Sequence, residues 1–146
     1  MDIFYRIDFW ALIISVVGLG YYLVDRSSKG EKKHMLETFK ENQKISLNIQ
    51  DILNTYMTTF GKTNRVAFAN TDTTIGNYYD ILVEEHRLKL SDELYEHTKK
   101  EKISKATLHS RIDSLNKQNE ALRLIELEAK LFLKKANDSR DNFFVM

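Results

Sequence analysis

The 146-residue sequence predicts an all-α protein, in which one amino-terminal transmembrane helix precedes a cytoplasmic three-helix domain that assembles into a helical oligomer. Three observations support this prediction. An uncharged run occupies residues 9–24. No proline occurs, although average usage would give roughly seven, so long helices can continue without interruption. Beyond residue 33, apolar residues recur at spacings of three and four, the period of a helix with a buried face.

The uncharged segment at residues 9–24 is expected to cross a membrane. As a helix it would extend roughly 24 Å, slightly less than the ~30 Å hydrocarbon core of a bilayer. A Phe-Trp pair at one end and a Tyr-Tyr pair at the other match the aromatic residues that flank membrane spans. A buried core helix and a cleaved signal peptide are the alternatives, but residues 1–8 lack the positive charge of a signal leader. We therefore expect residues 1–25 to be a retained transmembrane anchor.

Basic residues beyond this segment predict its orientation. Four of them follow it within ten positions: Arg26, Lys29, Lys32 and Lys33. Arg6 is the one basic residue before it, and flanking lysine and arginine stay on the cytoplasmic side. The sequence therefore predicts a single-pass protein of the cell inner membrane, with its amino terminus outside and its carboxyl terminus in the cytoplasm. Residues 26–33 are expected to form a basic juxtamembrane hinge that meets the lipid bilayer.

The same segment has a face of small residues, Ala11, Ser15 and Gly18, at spacings of four and three. Small side chains let the backbones of membrane helices approach closely. This face is therefore predicted to pack one anchor against another, although the placement of three small residues by chance is an equally open interpretation.

Residues 34–137 are predicted to be the cytoplasmic helical domain, and its first helix is expected at about residues 34–60. A heptad stripe runs along it: Met35, Asn42, Ile45, Ile49, Ile52 and Tyr56. Asn42 interrupts this stripe, and it would either fix the register of a helix pair or reach water at the edge of a bundle. Gly61 is expected to end the helix, because glycine readily adopts the left-handed conformation of a helix terminus.

The second helix is expected at about residues 78–99, starting from Asn77. Two possible apolar faces alternate along it, one with Tyr79, Val83, Leu90 and Leu94 and the other with Ile81, Leu88 and Tyr95. Cap signals at Ser91 and at Thr98 predict a break somewhere between residues 90 and 103.

The third helix is expected at about residues 103–136, followed by a flexible tail at 138–146. Its main apolar stripe is Leu108, Ile112, Leu115, Leu122, Ile125, Ala129 and Phe132. Leu124, Leu127 and Leu131 lie off this stripe, and a helix that is apolar on several sides needs several partners. We therefore expect the chain to form a homo-oligomer, with a tetramer as one option.

Residues 61–77 form the one long irregular stretch of the sequence. Loops of this length in compact domains are usually functional or disordered. Basic and neutral polar side chains in this loop are the predicted ligand-binding residues: Lys62, Thr63, Asn64, Arg65, Asn70, Thr71, Thr73 and Asn77. They suit an anionic ligand. The alternatives are a P-loop, which fails because Tyr56 stands where the motif needs glycine, and a solvated connector.

The remaining residues give no positive indication of catalysis. The chain has no cysteine, which excludes disulfides and thiolate metal sites. Its four histidines lack the spacing of a metal site, and no catalytic residue, metal ligand or cofactor is predicted. Beyond the hinge, acidic and basic residues balance, which argues against binding of duplex nucleic acid. We expect a protein that is not an enzyme.

The layout of anchor, basic hinge and helical domain resembles that of the small CRISPR-associated membrane effectors, which bind a cyclic oligoadenylate in a cytoplasmic oligomer. The resemblance covers the layout of the whole chain and includes no diagnostic motif, so no family residue is carried over. It implies a membrane-anchored sensor or effector that binds an anionic signal, such as a cyclic oligonucleotide, and controls membrane integrity in antiviral defence. The alternatives are a membrane-tethered coiled-coil scaffold and a phage lysis protein of the inner-membrane spanin type, whose helical body is periplasmic.

Overall fold

The computed structural model describes residues 29–61 and 72–143, with side chains described as far as Arg140. Four α-helices make up nearly all of this part of the chain: α1 (Lys29–Phe60), α2 (Ile75–Lys89), α3 (Asp92–Lys100) and α4 (Lys105–Phe143). No β-strand occurs within these two ranges. The predicted all-α class is therefore confirmed.

The predicted anchor at residues 1–25, including Ala11, Ser15 and Gly18, lies outside the described residues. Within residues 29–61 and 72–143, none of the helices combines the length and the apolar character that a membrane crossing requires.

Helix α1 is the central element, and it is buried on two sides. Along one side it packs against α4, with Asn42 hydrogen-bonded to Asn119 and Asn48 to Glu126. Partner numbers rise together, so α1 and α4 run parallel. Along the other side, Gln43 Nε2 donates to the carbonyl oxygen of Leu90 over 2.6 Å, and Ser46 lies against His86. There the partner numbers fall as those of α1 rise, so α2 and α3 run antiparallel to α1. They bring the chain back to the start of α1, from which α4 can run parallel to it.

Two apolar clusters hold these helices together. The larger joins α1, α2 and α4 through residues such as Ile49, Ile75 and Ile125. The Tyr56 ring extends it, with its centroid 4.6 Å from that of Phe132. The smaller cluster lies at the start of α1 and consists of Met35, Ile103 and Leu108 with partly buried neighbours. Apolar packing therefore holds α1 near both of its ends.

Both long helices extend beyond their predicted bounds. Helix α1 begins at Lys29, five residues before the expected start, so residues 29–33 of the predicted hinge are helical. Lysine and glutamate are good helix formers, and the Lys32 Nζ ties this turn to the end of α3 by donating to the carbonyl oxygens of Lys99 and Glu101. Helix α4 continues to Phe143, so residues 138–143 of the predicted tail are also helical. No proline or glycine follows residue 136 to end it, and the Arg140 guanidinium lies 5.9 Å from the centre of the Phe60 ring.

The predicted second helix is two helices. It breaks after Leu90, and Ser91 caps α3 by accepting a hydrogen bond from the Leu94 N–H over 3.3 Å. The break lies within the predicted interval, but the alternative cap at Thr98 is wrong, because Thr98 is buried inside α3. The predicted start at Asn77 is also wrong: Thr74 is the cap of α2, and its side chain accepts the Asn77 N–H.

Helix α2 buries a face that neither sequence pattern predicted. Ile75, Tyr78 and Leu82 point into the core, while Ile81, Val83 and Leu88 of the two expected faces are exposed. Leu90 of the first expected face is buried, at the carboxyl end of the helix. Apolar residues occur all around this short helix, and contact with α1 selects the buried set. Tyr79 packs at its margin.

Helix α4 confirms the predicted main stripe and separates it from the remaining leucines. Leu108, Leu122, Ile125 and Ala129 are buried. Leu124, Leu127 and Leu131, which we call the outer leucine stripe, are 48%, 54% and 49% exposed. The domain thus covers one apolar face of α4 and leaves a second one in solvent.

Candidate functional site

The predicted loop site falls largely outside the described part of the chain. Six of its eight residues are not described: Lys62, Thr63, Asn64, Arg65, Asn70 and Thr71. Thr73 is half-buried just before α2, and Asn77 is exposed in the first turn of that helix. The Asn77 N–H donates to the Thr74 side chain over 3.2 Å, which is a helix cap rather than a ligand contact. The ligand role of these residues stays a prediction.

A different polar feature lies at the other end of α1. Between the first turns of α1 and helix α3 is an open groove of about 590 Å³, which we call the lysine groove. Five lysines, two apolar residues and one carboxylate line it: Lys29, Lys32, Lys33, Lys40, Lys99, Leu36, Tyr95 and Glu37. The side chains that surround it therefore carry a strong excess of positive charge.

Lys32 joins the two walls of this groove. Its Nζ donates to the carbonyl oxygens of Lys99 and Glu101, at 2.8 and 2.6 Å, where α3 ends. These carbonyls lack partners within the helix, and a cation also interacts favourably with the negative end of the helix dipole. The Glu101 carboxylate is held by Arg111 at 2.7 and 3.2 Å, and this hydrogen bonding lowers the pKa of Glu101. The end of α3 is thus held in place by the Lys32 ammonium and the Arg111 guanidinium.

Lys40 and Tyr95 also line the groove, and Lys40 is the lining residue farthest along α1. The Lys40 Nζ lies 4.2 Å from the centre of the Tyr95 ring and donates to Asp92 Oδ1 over 3.2 Å. Hydrogen bonds from Lys40 and then from Gln43 lower the pKa of Asp92. The Tyr95 ring in turn packs against the core residue Phe39, with 5.7 Å between ring centres. An apolar surface is therefore presented between cations.

The other three lysines are held loosely. Lys33 and Lys99 lie 3.8 Å from Glu37 and Glu96, with side chains 79% and 55% exposed. Exposed pairs of this kind contribute about 0–1 kcal/mol, so the ammonium groups can leave them at little cost. Lys29 has no ion pair within residues 29–61 and 72–143. Three cations at the rim are thus able to turn towards an anion in the groove.

The sequence contained part of this site but did not reveal the rest. Lys29, Lys32 and Lys33 were expected to be basic hinge residues at the membrane surface. Lys40, Tyr95 and Lys99 were not predicted, because α3 meets α1 only through the tertiary fold. One signal was present: Lys29, Lys33, Leu36 and Lys40 are spaced by four, three and four, which is one face of a helix.

The remaining features of the described residues do not suggest a catalytic or metal site. No group of three or more histidine or carboxylate side chains is close enough to hold a metal ion in residues 29–61 and 72–143. His86 is half-buried with its Nδ1 3.0 Å from Ser46 Oγ, and burial lowers the pKa of its imidazole. Comparison of the chain with protein-family models, curated proteins and solved structures gave no match.

Proposed function

We propose that this protein is a membrane-anchored sensor or effector that acts by binding and assembly rather than by catalysis. Residues 9–24 would hold it in the bilayer, and the helical domain would lie on the cytoplasmic side. The single observation that carries this proposal is the position of the lysine groove. Lys29 follows Val24 by five residues, which span at most ~18 Å, so the groove would lie close to the lipid headgroups.

The charge of the groove suits this placement. The cytoplasmic surface of a membrane is negative, and basic residues next to a span are attracted to it within about one Debye length. Lys99 belongs to α3 and not to the segment after the anchor, yet it lies beside Lys29 and Lys33 in the groove. Tertiary folding thus adds positive charge at the end of the domain nearest the proposed anchor.

The proposed signal is an anion, with a cyclic oligonucleotide as the specific candidate from the sequence. The predicted ligand loop, residues 61–77, begins directly after Phe60, the last residue of α1. A helix of 32 residues is about 48 Å long, so a ligand in that loop would be far from the membrane. Such a signal would reach the anchors either along α1 or by changing how copies of the chain assemble.

Assembly with further copies of this chain would use the outer leucine stripe. The stripe consists of three leucines, whereas a stable interface usually buries on the order of 1,200 Å² or more in total, so we expect a weak contact. Anchors in one membrane would raise the effective concentration of the copies and compensate for a weak contact. They would also require the copies to lie parallel, since every α1 would begin at the same membrane surface. Weak contact favours a switchable assembly.

The scaffold alternative has less support. A coiled-coil scaffold would present the heptad stripe of α1 to another chain. Ile45, Ile49 and Tyr56 of that stripe are buried, and the α1 face that carries them packs against helices of the same chain. The spanin alternative would place the lysine groove in the periplasm, against the expected retention of basic flanks in the cytoplasm.

A topology experiment tests the proposal. The full chain is fused at its carboxyl terminus to a reporter that is active only in the cytoplasm, and in a second fusion to one that is active only in the periplasm. We expect the cytoplasmic reporter to be active in the membrane fraction, and deletion of residues 1–25 to release it to the soluble fraction. Recovery of the full chain as a soluble protein would contradict the anchor, and activity of the periplasmic reporter alone would favour the spanin alternative.

A further inference from the structure

We infer that the lysine groove is a binding site for a phosphate ester, with its anionic group held by Lys29, Lys33 and Lys99 and its organic part against the apolar side chains of Leu36 and Tyr95. The inference relies on the proposed anchoring only for the source of the ligand. A phospholipid headgroup is the source if the groove lies at a membrane, and a soluble phosphate ester is the source if it does not.

The arrangement of the cations supports a site rather than a solvated helix face. Lys29 and Lys33 come from α1, whereas Lys99 comes from α3, and the three converge on one concavity. A solvated face usually alternates lysine with carboxylates at helical spacing. The lining here includes a single carboxylate, Glu37, whose contact with Lys33 is long at 3.8 Å. The lysines of the lining thus outnumber its carboxylates, and the ion pairs of Lys33 and Lys99 are long, at 3.8 Å, so an anion in the groove would add favourable contacts.

The shape and chemistry of the groove select the class of anion. Its volume of about 590 Å³ is in the range of small-molecule sites. Lysine ammonium groups bind phosphate as point charges from several directions. Leu36 and the Tyr95 ring offer an apolar surface beside them, which suits a glycerol, ribose or acyl group better than water. A phosphate ester combines both requirements.

Lys32 and Lys40 also line the groove, but their contacts with the protein would remain when a ligand binds. Lys32 is tied to backbone oxygens at 2.8 and 2.6 Å, and Lys40 is held between Asp92 and the Tyr95 ring. Replacing either would also disturb the contact of α1 with α3. Lys29, Lys33 and Lys99 have no such structural role, so they are the residues with which to test binding.

The test uses the full chain in neutral detergent micelles and isothermal titration calorimetry with three probes. They are short-chain phosphatidylglycerol, short-chain phosphatidylcholine and glycerol 3-phosphate. The variant is Lys29→Gln, Lys33→Gln, Lys99→Gln. The matched control is Lys44→Gln, Lys117→Gln, Lys134→Gln, which removes the same charge from exposed positions outside the groove.

We expect the wild-type protein to prefer phosphatidylglycerol to phosphatidylcholine, and the groove variant to lose affinity for it by on the order of 100-fold at low salt. The control variant should bind like the wild type, and the difference should shrink as salt is added. Tight binding of glycerol 3-phosphate with no gain from the lipid chains would support a soluble phosphate ester as the source. Equal losses in the two variants, or no binding of either anion, would overturn the inference.

These outcomes are independent of the proposed anchoring. If the full chain is soluble in cells but the groove variant loses glycerol 3-phosphate, the site stands and the membrane role falls. If the chain is anchored and the groove variant binds both anions like the wild type, the membrane role stands and the site falls.

Discussion

Asn42 shows at the scale of one residue how the polar contacts specify the packing of α1 on α4. Its side chain is 0% exposed, so of the two sequence interpretations the one that reaches water is wrong. The Asn42 Nδ2 donates to the Leu115 carbonyl oxygen and to Gln118 Oε1, each over 3.0 Å, while Oδ1 accepts from Asn119 over 2.8 Å. Asn42 on α1 and Asn119 on α4 thus pair directly across two parallel helices, and a buried polar pair of this kind favours one alignment of the helices. The pair sets the register within one chain.

We expect Asn42→Ala to lower the free energy of unfolding by about 1–3 kcal/mol, because it leaves the polar partners on α4 unpaired. The double change Asn42→Leu, Asn119→Leu should cost less than the single one, since it removes both polar groups and fills the space. Urea denaturation followed by circular dichroism measures both. The matched control is Asn54→Ala at an exposed position of the same helix, expected within about 0.5 kcal/mol of the wild type. An Asn42→Ala protein as stable as this control would show that the buried pair contributes nothing.

Helix α4 shows at the scale of an element that one helix has two apolar faces with different roles. Leu122 and Ile125 lie in the core against α1, while the outer leucine stripe is in solvent. Glu120 and Lys134 lie beyond the two ends of the stripe, which limits it to about two turns. The inner face is therefore part of the core, and the outer face is the exposed surface that the proposed assembly would use.

A matched pair of variants separates these roles. Leu122→Asp, Ile125→Asp should unfold the domain, because each carboxylate would be buried without a partner at a cost of several kcal/mol. Leu124→Asp, Leu127→Asp makes an equal change of charge on the outer face and should keep the helical circular dichroism and the melting temperature. Cross-linking in membranes should detect fewer oligomers of the outer variant. A folded inner variant would contradict the core, and undiminished cross-linking of the outer variant would exclude the outer leucine stripe as the interface.

At the scale of the whole molecule, the described residues contain a core of their own. The described core runs from Met35 to Ala136 and joins all four helices. The return through α2 and α3 lets α1 and α4 pack in parallel along their length. A domain with its own core can fold alone, so the contribution of residues 1–25 would be to position the domain and to concentrate it.

We therefore expect the 26–146 fragment to be predominantly helical, to unfold cooperatively and to associate in a concentration-dependent manner. Its association should be weaker than that of the full chain, because the outer leucine stripe is small and the membrane no longer raises the effective concentration. Circular dichroism and sedimentation over a range of concentrations measure these properties. An unfolded fragment would show that residues 1–25 complete the core, and a strict monomer at every concentration would remove the support for the oligomer.

The sequence by itself determined the helical class, the end of α1 at Gly61 and the inner stripe of α4. Gly61 has φ of 60° and its N–H donates to the Met57 carbonyl oxygen over 2.8 Å, as a helix terminus requires. These features are local, because periodicity and backbone conformation depend on neighbours within one or two turns. Their prediction needed no knowledge of the partner helix.

Only the tertiary structure decided which face of α2 is buried, where Asn42 finds its partners and how Lys99 and Tyr95 complete the lysine groove. Each depends on contact between residues far apart in the sequence, such as Ser46 with His86 and Asn42 with Asn119. The periodicity of a single helix carries no information about such contacts. Helix α2 has apolar residues on several sides, and its contact with α1 determines which of them are buried. The groove exists because α3 ends where α1 begins, which places lysines from two distant segments around one open groove.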